Sequence, residues 1–353
     1  MKLLKRITYL FITTLILASC SSDDDNTIII EPMGDYEFGF FVTNEGPFGT
    51  GTGTVTFISE DYSNVDHTIF NDVNNSDLGN IVQSLGFAEE KAYIVVNNSH
   101  KIEVVNRYTF ESIATISEGL NNPRFFAAEG NTGYVSNWGD PFDNNDDFIA
   151  VIDLITNTVV ASISVDFGPE KMVINDGKLY VAHQGGYGQN NVVSIIKTDT
   201  NALTSAIVVG DVPNSMVVSG NSLWILCGGN PDYTGNETNG SLVKLNMNNQ
   251  VIVQTLDFEL TQHPNGLTKD DINFYYGLNG AVFSMEESDT TLPTESIING
   301  FFYSMTANHG KLYATDAGDF ISNGTLKIYD LSSNSEIESI EVGIIPGGVY
   351  FNN

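Results

Sequence analysis

Along most of the chain, apolar and polar residues alternate in short runs, each closed by Gly, Asn, Asp or Pro. Alternation of period two is the mark of half-buried strands, and no stretch keeps an apolar stripe at helical spacing over three turns. The runs also recur in a fixed order. The first, strand A, opens on Pro, a polar residue and an apolar run, as in Pro123-Arg124-Phe125-Phe126, Pro169-Glu170-Lys171-Met172, Pro213-Asn214-Ser215-Met216, Pro264-Asn265-Gly266-Leu267 and Pro346-Gly347-Gly348-Val349. Pro is tolerated at the first residue of a strand, before a ladder donor is needed. Two copies lack it, at Ser84-Leu85-Gly86-Phe87 and Tyr303-Ser304-Met305.

A tight turn such as Asp176-Gly177, Gly220-Asn221 or His309-Gly310 follows, with residues suited to the positive φ of a two-residue hairpin. Strand B then reads aromatic-apolar-x-polar: Tyr93-Ile94-Val95-Val96, Tyr134-Val135-Ser136-Asn137, Tyr180-Val181-Ala182-His183, Trp224-Ile225-Leu226-Cys227 and Tyr313-Ala314-Thr315-Asp316, with a degenerate copy at Phe274-Tyr275-Tyr276-Gly277. Strand C alternates (Ala150 to Leu154, Leu326 to Asp330), and a polar turn leads into strand D, for example Val159 to Val165. The strand-B aromatics recur every 38 to 51 residues. Four strands in that length make a propeller blade.

Strand A and strand B each occur seven times, but out of phase. The first B, Phe41-Val42-Thr43-Asn44-Glu45-Gly46, precedes every A, and the last A, from Pro346, has no B after it. Pairing the C-terminal A with the N-terminal B, C and D leaves no orphan edge. The expected fold is therefore all-β, a seven-bladed β-propeller closed by pairing the C-terminal strand with the N-terminal blade. Phe41 to Gly46 and Tyr134 to Asn137 resemble the Tyr-Val-Thr-Asn repeat of YncE-like bacterial propellers, and the likeness runs over residues 35–353.

The N-terminus carries Lys2, Lys5 and Arg6, then an apolar run from Ile7 to Ala18 that is short for a membrane span. It ends in Leu17-Ala18-Ser19-Cys20, which resembles the lipobox of bacterial lipoproteins. That resemblance implies a signal peptide over residues 1–19, lipidation of Cys20, an acidic tether over 20–34 that includes Asp23-Asp24-Asp25, and the propeller over 35–353. It also implies an outer-membrane lipoprotein, exposed at the cell surface or facing the periplasm, of the type associated with TonB-dependent receptors. The membrane is then held by acyl chains alone. Loss of Cys20 to lipid leaves Cys227 without an intrachain partner.

The chain holds 44 acidic and 14 basic residues, a net charge of −30, which cleavage of the leader deepens by three. No basic patch occurs, so nucleic acid is excluded as a partner. The expected state is a monomer. Function is read from loop lengths. The A–B and C–D turns share one face and are short, whereas B–C loops on the opposite face run long, at Asn44 to Thr54, Asn137 to Asp147, His183 to Asn191, Cys227 to Gly240 and Asp316 to Gly324. These loops present Phe48, Trp138, Phe142, Tyr187, Tyr233 and Phe320 among Gly, Asn and Asp. The residues after each strand-A proline, Arg124, Glu170, Asn214 and Asn265, join them at the channel mouth.

Aromatics between small polar residues suit an adaptable binding surface. The expected ligand-binding set is Arg124, Asn137, Trp138, Phe142, His183, Tyr187, Asn214, Tyr233, His263 and Asn265. The expected partner is a small molecule, a siderophore or another nutrient, or an outer-membrane receptor docked on the same face. A hydrolase or lyase using His183 or His263 as base is the first alternative, and a protein-interaction scaffold the second. No nucleophile elbow, phosphate loop or zinc motif occurs, and Gly185-Gly186-Tyr187-Gly188 lies between strands, without a following helix. Oxygen donors crowd residues 140–147, as Ca²⁺ prefers, but without EF-hand spacing. No catalytic residue, metal or cofactor is assigned.

Overall fold

The structure, a computed structural model, describes residues 33–352. The signal-peptide and Cys20 lipidation readings fall outside these residues, as does the tether up to Pro32. The described chain forms seven four-stranded antiparallel sheets, the blades of a β-propeller. Strands A to D run outward from the axis in each. Blade 1 takes strand A from the C-terminus (Pro346–Phe351) and strands B, C and D from Gly39–Asn44, Thr54–Ser59 and Val65–Asp66. Blades 2 to 7 are continuous in sequence, with strands A at Val82–Ala88, Pro123–Glu129, Pro169–Asn175, Pro213–Ser219, Asn265–Asp270 and Ser304–Asn308. The copies without proline and the degenerate strand B (Asn273–Leu278) all take their expected places.

The seam closes as expected. Phe40 faces Phe351, Phe41 faces Tyr350 and Val42 faces Val349 across an antiparallel ladder. A side-chain clamp reinforces it on the short-turn face. The amide of Asn352 donates to the carbonyls of Tyr36 (2.6 Å) and Arg107 (3.0 Å), and its oxygen accepts from Arg107 Nε at 2.5 Å. Arg107 is itself buried, with its guanidinium 4.2 Å from the centre of the Phe87 ring. One asparagine thus ties the last strand, the entry to the first strand and blade 2 together.

The core lies between blades rather than in one centre. Each blade packs a sheet face on the next, and the aromatic that opens strand B sits in that interface: Phe41, Tyr93, Tyr134, Tyr180 and Trp224 are fully buried. At the seam, Phe40, Val42 and Ile58 of blade 1 meet Tyr313, Leu326 and Ile328 of blade 7. Hydroxyls staple neighbouring blades near the axis: Ser84 Oγ donates to the Arg124 carbonyl (2.7 Å), and Ser215 Oγ accepts from Leu267 N (2.8 Å). The turns at Asp176-Gly177 and His309-Gly310 have two consecutive positive φ values, as the hairpin chemistry requires.

Two departures from the expected loop pattern stand out. Strand D of blade 1 is only Val65–Asp66, and a short helix, Ile69–Asn74, packs Ile69 and Phe70 beside it. Blade 6 inverts the rule: its B–C connection is the two residues Asn279 and Gly280, while its C–D connection is extended.

The seam predicts its own weak point. Asn352→Ala removes three buried hydrogen bonds at the seam, so it lowers unfolding stability by about 3 kcal/mol. Ala161→Ser on an exposed outer strand shifts it by no more than about 0.5 kcal/mol. Urea midpoints of the two variants check this.

Candidate functional site at the channel mouth

In six of the seven blades the ladder between strands A and B slips at the first residues of strand A. A bulge leaves its extra residue unpaired and re-aims the side chain. Gln83, Arg124, Glu170 and Asn214 occupy these slips, Tyr303 stands at the matching position of blade 7, and blades 6 and 1 place Gly266 and Gly347 there, with Asn265 just before the slip of blade 6. Each blade therefore delivers one residue to the same end of the axis. Gly347 has no side chain, and a Cβ there would lie 3.4 Å from Glu45 Oε1. Glu45, just past strand B of blade 1, fills that gap.

These groups form one electrostatic unit. Arg124 grips Glu170 with Nε on Oε1 (2.8 Å) and Nη2 on Oε2 (3.4 Å), donates from Nη1 to Gln83 Oε1, and lays its guanidinium 4.1 Å from the Trp138 ring centre. Burial raises the Glu170 carboxyl above its usual range, and Arg124 opposes that rise. Tyr303 donates to Glu45 Oε1 at 2.9 Å. Burial raises Glu45 as well, offset by the Tyr303 hydrogen bond and then by Arg124. Tyr303 on blade 7 is pushed far up by burial and Glu45, and it feels Arg124 and Glu170 of blades 3 and 4. In a seven-membered ring such coupling runs across the channel. Lys171, one residue further along strand A, has its ammonium disfavoured by burial, and Glu170 opposes that fall.

An aromatic path leads outward from this cluster. Trp138 meets Tyr187 edge-on at 5.9 Å, and Tyr187 lies 5.5 Å from Phe142. Tyr187 is 62 % exposed and Phe142 86 %. The loop that carries Trp138 and Phe142 is braced by its own acids: Asp146 Oδ2 accepts from Asp140 N (2.8 Å), and Asp140 Oδ1 accepts from Phe142 N (3.0 Å). That is ordinary Asx-turn chemistry. Among the described residues no group of three or more His, Cys, Asp or Glu is placed to hold a metal ion. Across the mouth, Tyr303 packs edge-on against Phe320 at 5.8 Å. Tyr233 and Phe48 stand exposed on the loops of blades 5 and 1.

Two expected site residues need correction. Asn137 is fully buried: its oxygen accepts from Asn121 N (3.0 Å) and its amide donates to the Val135 carbonyl (2.9 Å). Asn44 does the same in blade 1, accepting from Gly343 N at 2.9 Å. The Asn ending strand B latches the incoming connection from the preceding strand D. His183 takes the equivalent place in blade 4, fully buried, with Nδ1 3.3 Å from the Phe167 carbonyl. Burial drags its pKa down to about 4, so it is neutral and offers no surface to a ligand.

The other expected residues lie on the loop face. His263 bridges the Gly228 carbonyl (2.8 Å) and Glu237 Oε1 (3.2 Å), bracing the blade 5 loop. Asn214 joins blades 5 and 6 through the Pro264 carbonyl (2.9 Å), and Asn265 is exposed at the mouth. Sequence reasoning missed Glu45, Gln83, Tyr303 and Lys171. The second position of strand A was the available signal, but Gln83 and Tyr303 sit in the two copies without proline.

Residues 38–219 match the family described as "Domain of unknown function (DUF5074)". The chain belongs to this family. The match runs from strand B of blade 1 to strand A of blade 5. No curated protein matches the chain at a significant level. Among solved structures, the chain is similar to a quinonprotein alcohol dehydrogenase-like protein from Bacteroides thetaiotaomicron, with a TM-score of 0.67 at 13 % identity over 90 % of this chain and 79 % of that one. A functionally unknown protein from Desulfotomaculum acetoxidans gives 0.64 at 12 % identity over 88 % and 98 %. BamB from Moraxella catarrhalis gives 0.56 at 12 % over 88 % and 84 %. At such identities these likenesses concern the propeller fold alone.

Two outcomes follow from the electrostatics. Arg124→Ala strands a buried carboxylate and lowers stability by about 3–5 kcal/mol, whereas the paired change Arg124→Met with Glu170→Leu recovers most of that loss in a denaturation series. Asp147 is also buried, and burial lifts its carboxyl from 3.8 to about 7 against the opposing hydrogen bond from Gly168 N. Between about pH 4 and pH 7 the native state keeps a proton that the unfolded chain has released, so stability falls as pH rises through that window. In Asp147→Asn the fall attributable to this group disappears, which urea midpoints from pH 4 to pH 8 register.

Proposed function

We propose that this protein is a lipid-anchored binding module of the bacterial cell envelope that captures a small ligand at the mouth of its channel. One observation carries the reading: a polar cluster drawn from five blades, with Glu170 buried at its centre, meets an exposed aromatic path at the same end of the ring. Concave sites with a few converging polar groups and apolar walls are the usual form of small-molecule sites. Carboxyls raised by burial also concentrate at functional sites. The paired state of Arg124 argues against a direct clamp on a ligand anion, and the net charge of −30 disfavours anionic ligands at long range. Among nutrient ligands, an anionic ferric siderophore is therefore the poorest fit.

A second reading is supported by the loop tips that stand away from the mouth. Phe48 is 74 % exposed, Tyr233 83 % and Ile321 77 %, surfaces suited to a protein neighbour such as an outer-membrane receptor. The lipid anchor rests on the lipobox-like Leu17 to Cys20, and surface exposure on the acidic residues that follow.

Calorimetric titration of the mature protein with ferric siderophores, neutral sugars and cobamides tests the mouth. A binding class is expected to lose about tenfold or more in affinity in Tyr187→Ala and Phe142→Ala, whose fold is checked by circular dichroism. Absence of heat with every class counts against capture of a small ligand. Cys20→Ser is expected to move the protein from the membrane to the soluble fraction.

A further inference from the structure

The wall around the mouth is not continuous. On the loop face the B–C connections of blades 1, 3, 4, 5 and 7 comprise residues 45–53, 138–147, 184–191, 228–240 and 317–322. In blade 2 the connection is only 97–100, a tight 3-10 turn, and in blade 6 it is only 279–280. Blades 2 and 6 stand four steps apart one way round and three the other. That is as near to opposite as a seven-fold ring permits. The loops therefore rise as two banks, blades 3 to 5 on one side and blades 7 and 1 on the other. Between them a trough crosses the channel mouth.

Its ends differ from its banks. At blade 6 the floor is glycine, with Gly277, Gly280 and Gly300 lining a small cleft of about 130 Å³ beside Asn265 and Phe301. Phe301 is 70 % exposed. At blade 2 the low turn carries exposed Asn98 and His100. Asn98 donates to Asn80 (2.7 Å), and Asn80 in turn holds the blade 1 loop through the Pro47 carbonyl (2.9 Å). The blade 1 loop is thus tied to the entry of blade 2 through Asn80.

Resting on the small-ligand reading above, we propose that the ligand is a neutral oligosaccharide that lies along this trough, centred on the mouth. An open-ended groove holds a chain longer than the mouth itself. Cations on this side are engaged: Arg124 with Glu170, Lys327 with Asp316 (3.1 Å) and Lys101 with Glu103 (2.6 Å), while Lys171 lies beside Glu170. An acidic polymer would meet net negative charge, and among the described residues these cations are already engaged. The trough floor is built from strand ends, not strand edges, so an extended peptide finds no ladder to join. Sugar hydroxyls do find acceptors, in the second oxygen of Glu45 and the amides of Gln83 and Asn265. Tyr187 and Phe142, exposed beside Trp138, offer ring faces for the C–H faces of sugar units.

The test uses the mature full-length protein and neutral β-1,4- and α-1,4-linked glucans, xylans and mannans, from disaccharide to hexasaccharide, with oligogalacturonates as the acidic control. For at least one neutral series, affinity is expected to rise about tenfold or more from disaccharide to hexasaccharide. Asn98→Trp, which obstructs the blade 2 end, and Phe301→Ala, which strips the blade 6 end, are expected to abolish that gain and leave disaccharide affinity within about twofold. Affinity independent of length, or preference for the acidic series, overturns the trough. Binding of compact siderophores or cobamides that is lost in Tyr187→Ala but indifferent to Asn98→Trp and Phe301→Ala overturns the trough while keeping the mouth. If no probe of any kind binds, both readings fall together.

Discussion

Everything on the loop face depends on the pairing of Pro346–Phe351 with Gly39–Asn44. Seven sheets have seven interfaces only if the last blade packs on the first, and the Phe40, Val42 and Tyr313 contacts exist only in the closed ring. Closure joins segments about 300 residues apart, so it costs more loop entropy than any hairpin within a blade, and few residues offset that cost. The clamp of Asn352 on Tyr36 and Arg107 concentrates charge-assisted and backbone hydrogen bonds at that one seam.

Bulges then convert a repetitive scaffold into a site that does not repeat. Each blade offers the mouth one residue from an equivalent position, so chemistry varies while geometry stays constant. The outcome is a short cycle of acid, amide, guanidinium and phenol, in which Arg124 holds the buried Glu170 carboxylate and Tyr303 holds that of Glu45. Half-satisfied buried charges are costly, which ties the order of the mouth to the order of the ring beneath it. The exposed chemistry sits further out, on the aromatic tips of loops whose bases adjoin strand-ending residues such as Asn44 and Asn137.

Much of this architecture was legible in the chain. Recurrent proline-led strands, the buried aromatic of strand B and the phase offset between the termini were enough for seven blades and their seam. They are local signals, each set by a strand or a turn. What escaped was non-local. Asn137 and His183 look like rim residues because they end strand B beside long loops, yet the incoming connection from the preceding blade covers them. Gln83 and Tyr303 were hidden by the loss of a proline that has no part in their role. Glu45 lies at the mouth beside Gly347, at the far end of the chain, where blade 1 supplies no side chain. The blade 6 inversion likewise shows in Asn279-Gly280 only once the degenerate strand beside it is placed.

The mouth holds one of the chain's two tryptophans, and the other, Trp224, is fully buried between blades. In a Trp224→Phe variant, Trp138 becomes the single tryptophan, excited apart from the tyrosines at the red edge of the absorption band and stacked on Arg124 at the centre of the candidate site. Parallel calorimetry and emission titrations of that variant therefore report both whether a ligand binds and where. The account predicts that any saturable heat is matched by a saturable change in Trp138 emission with the same midpoint. Saturable heat with unchanged Trp138 emission would place the binding surface elsewhere and contradict the account.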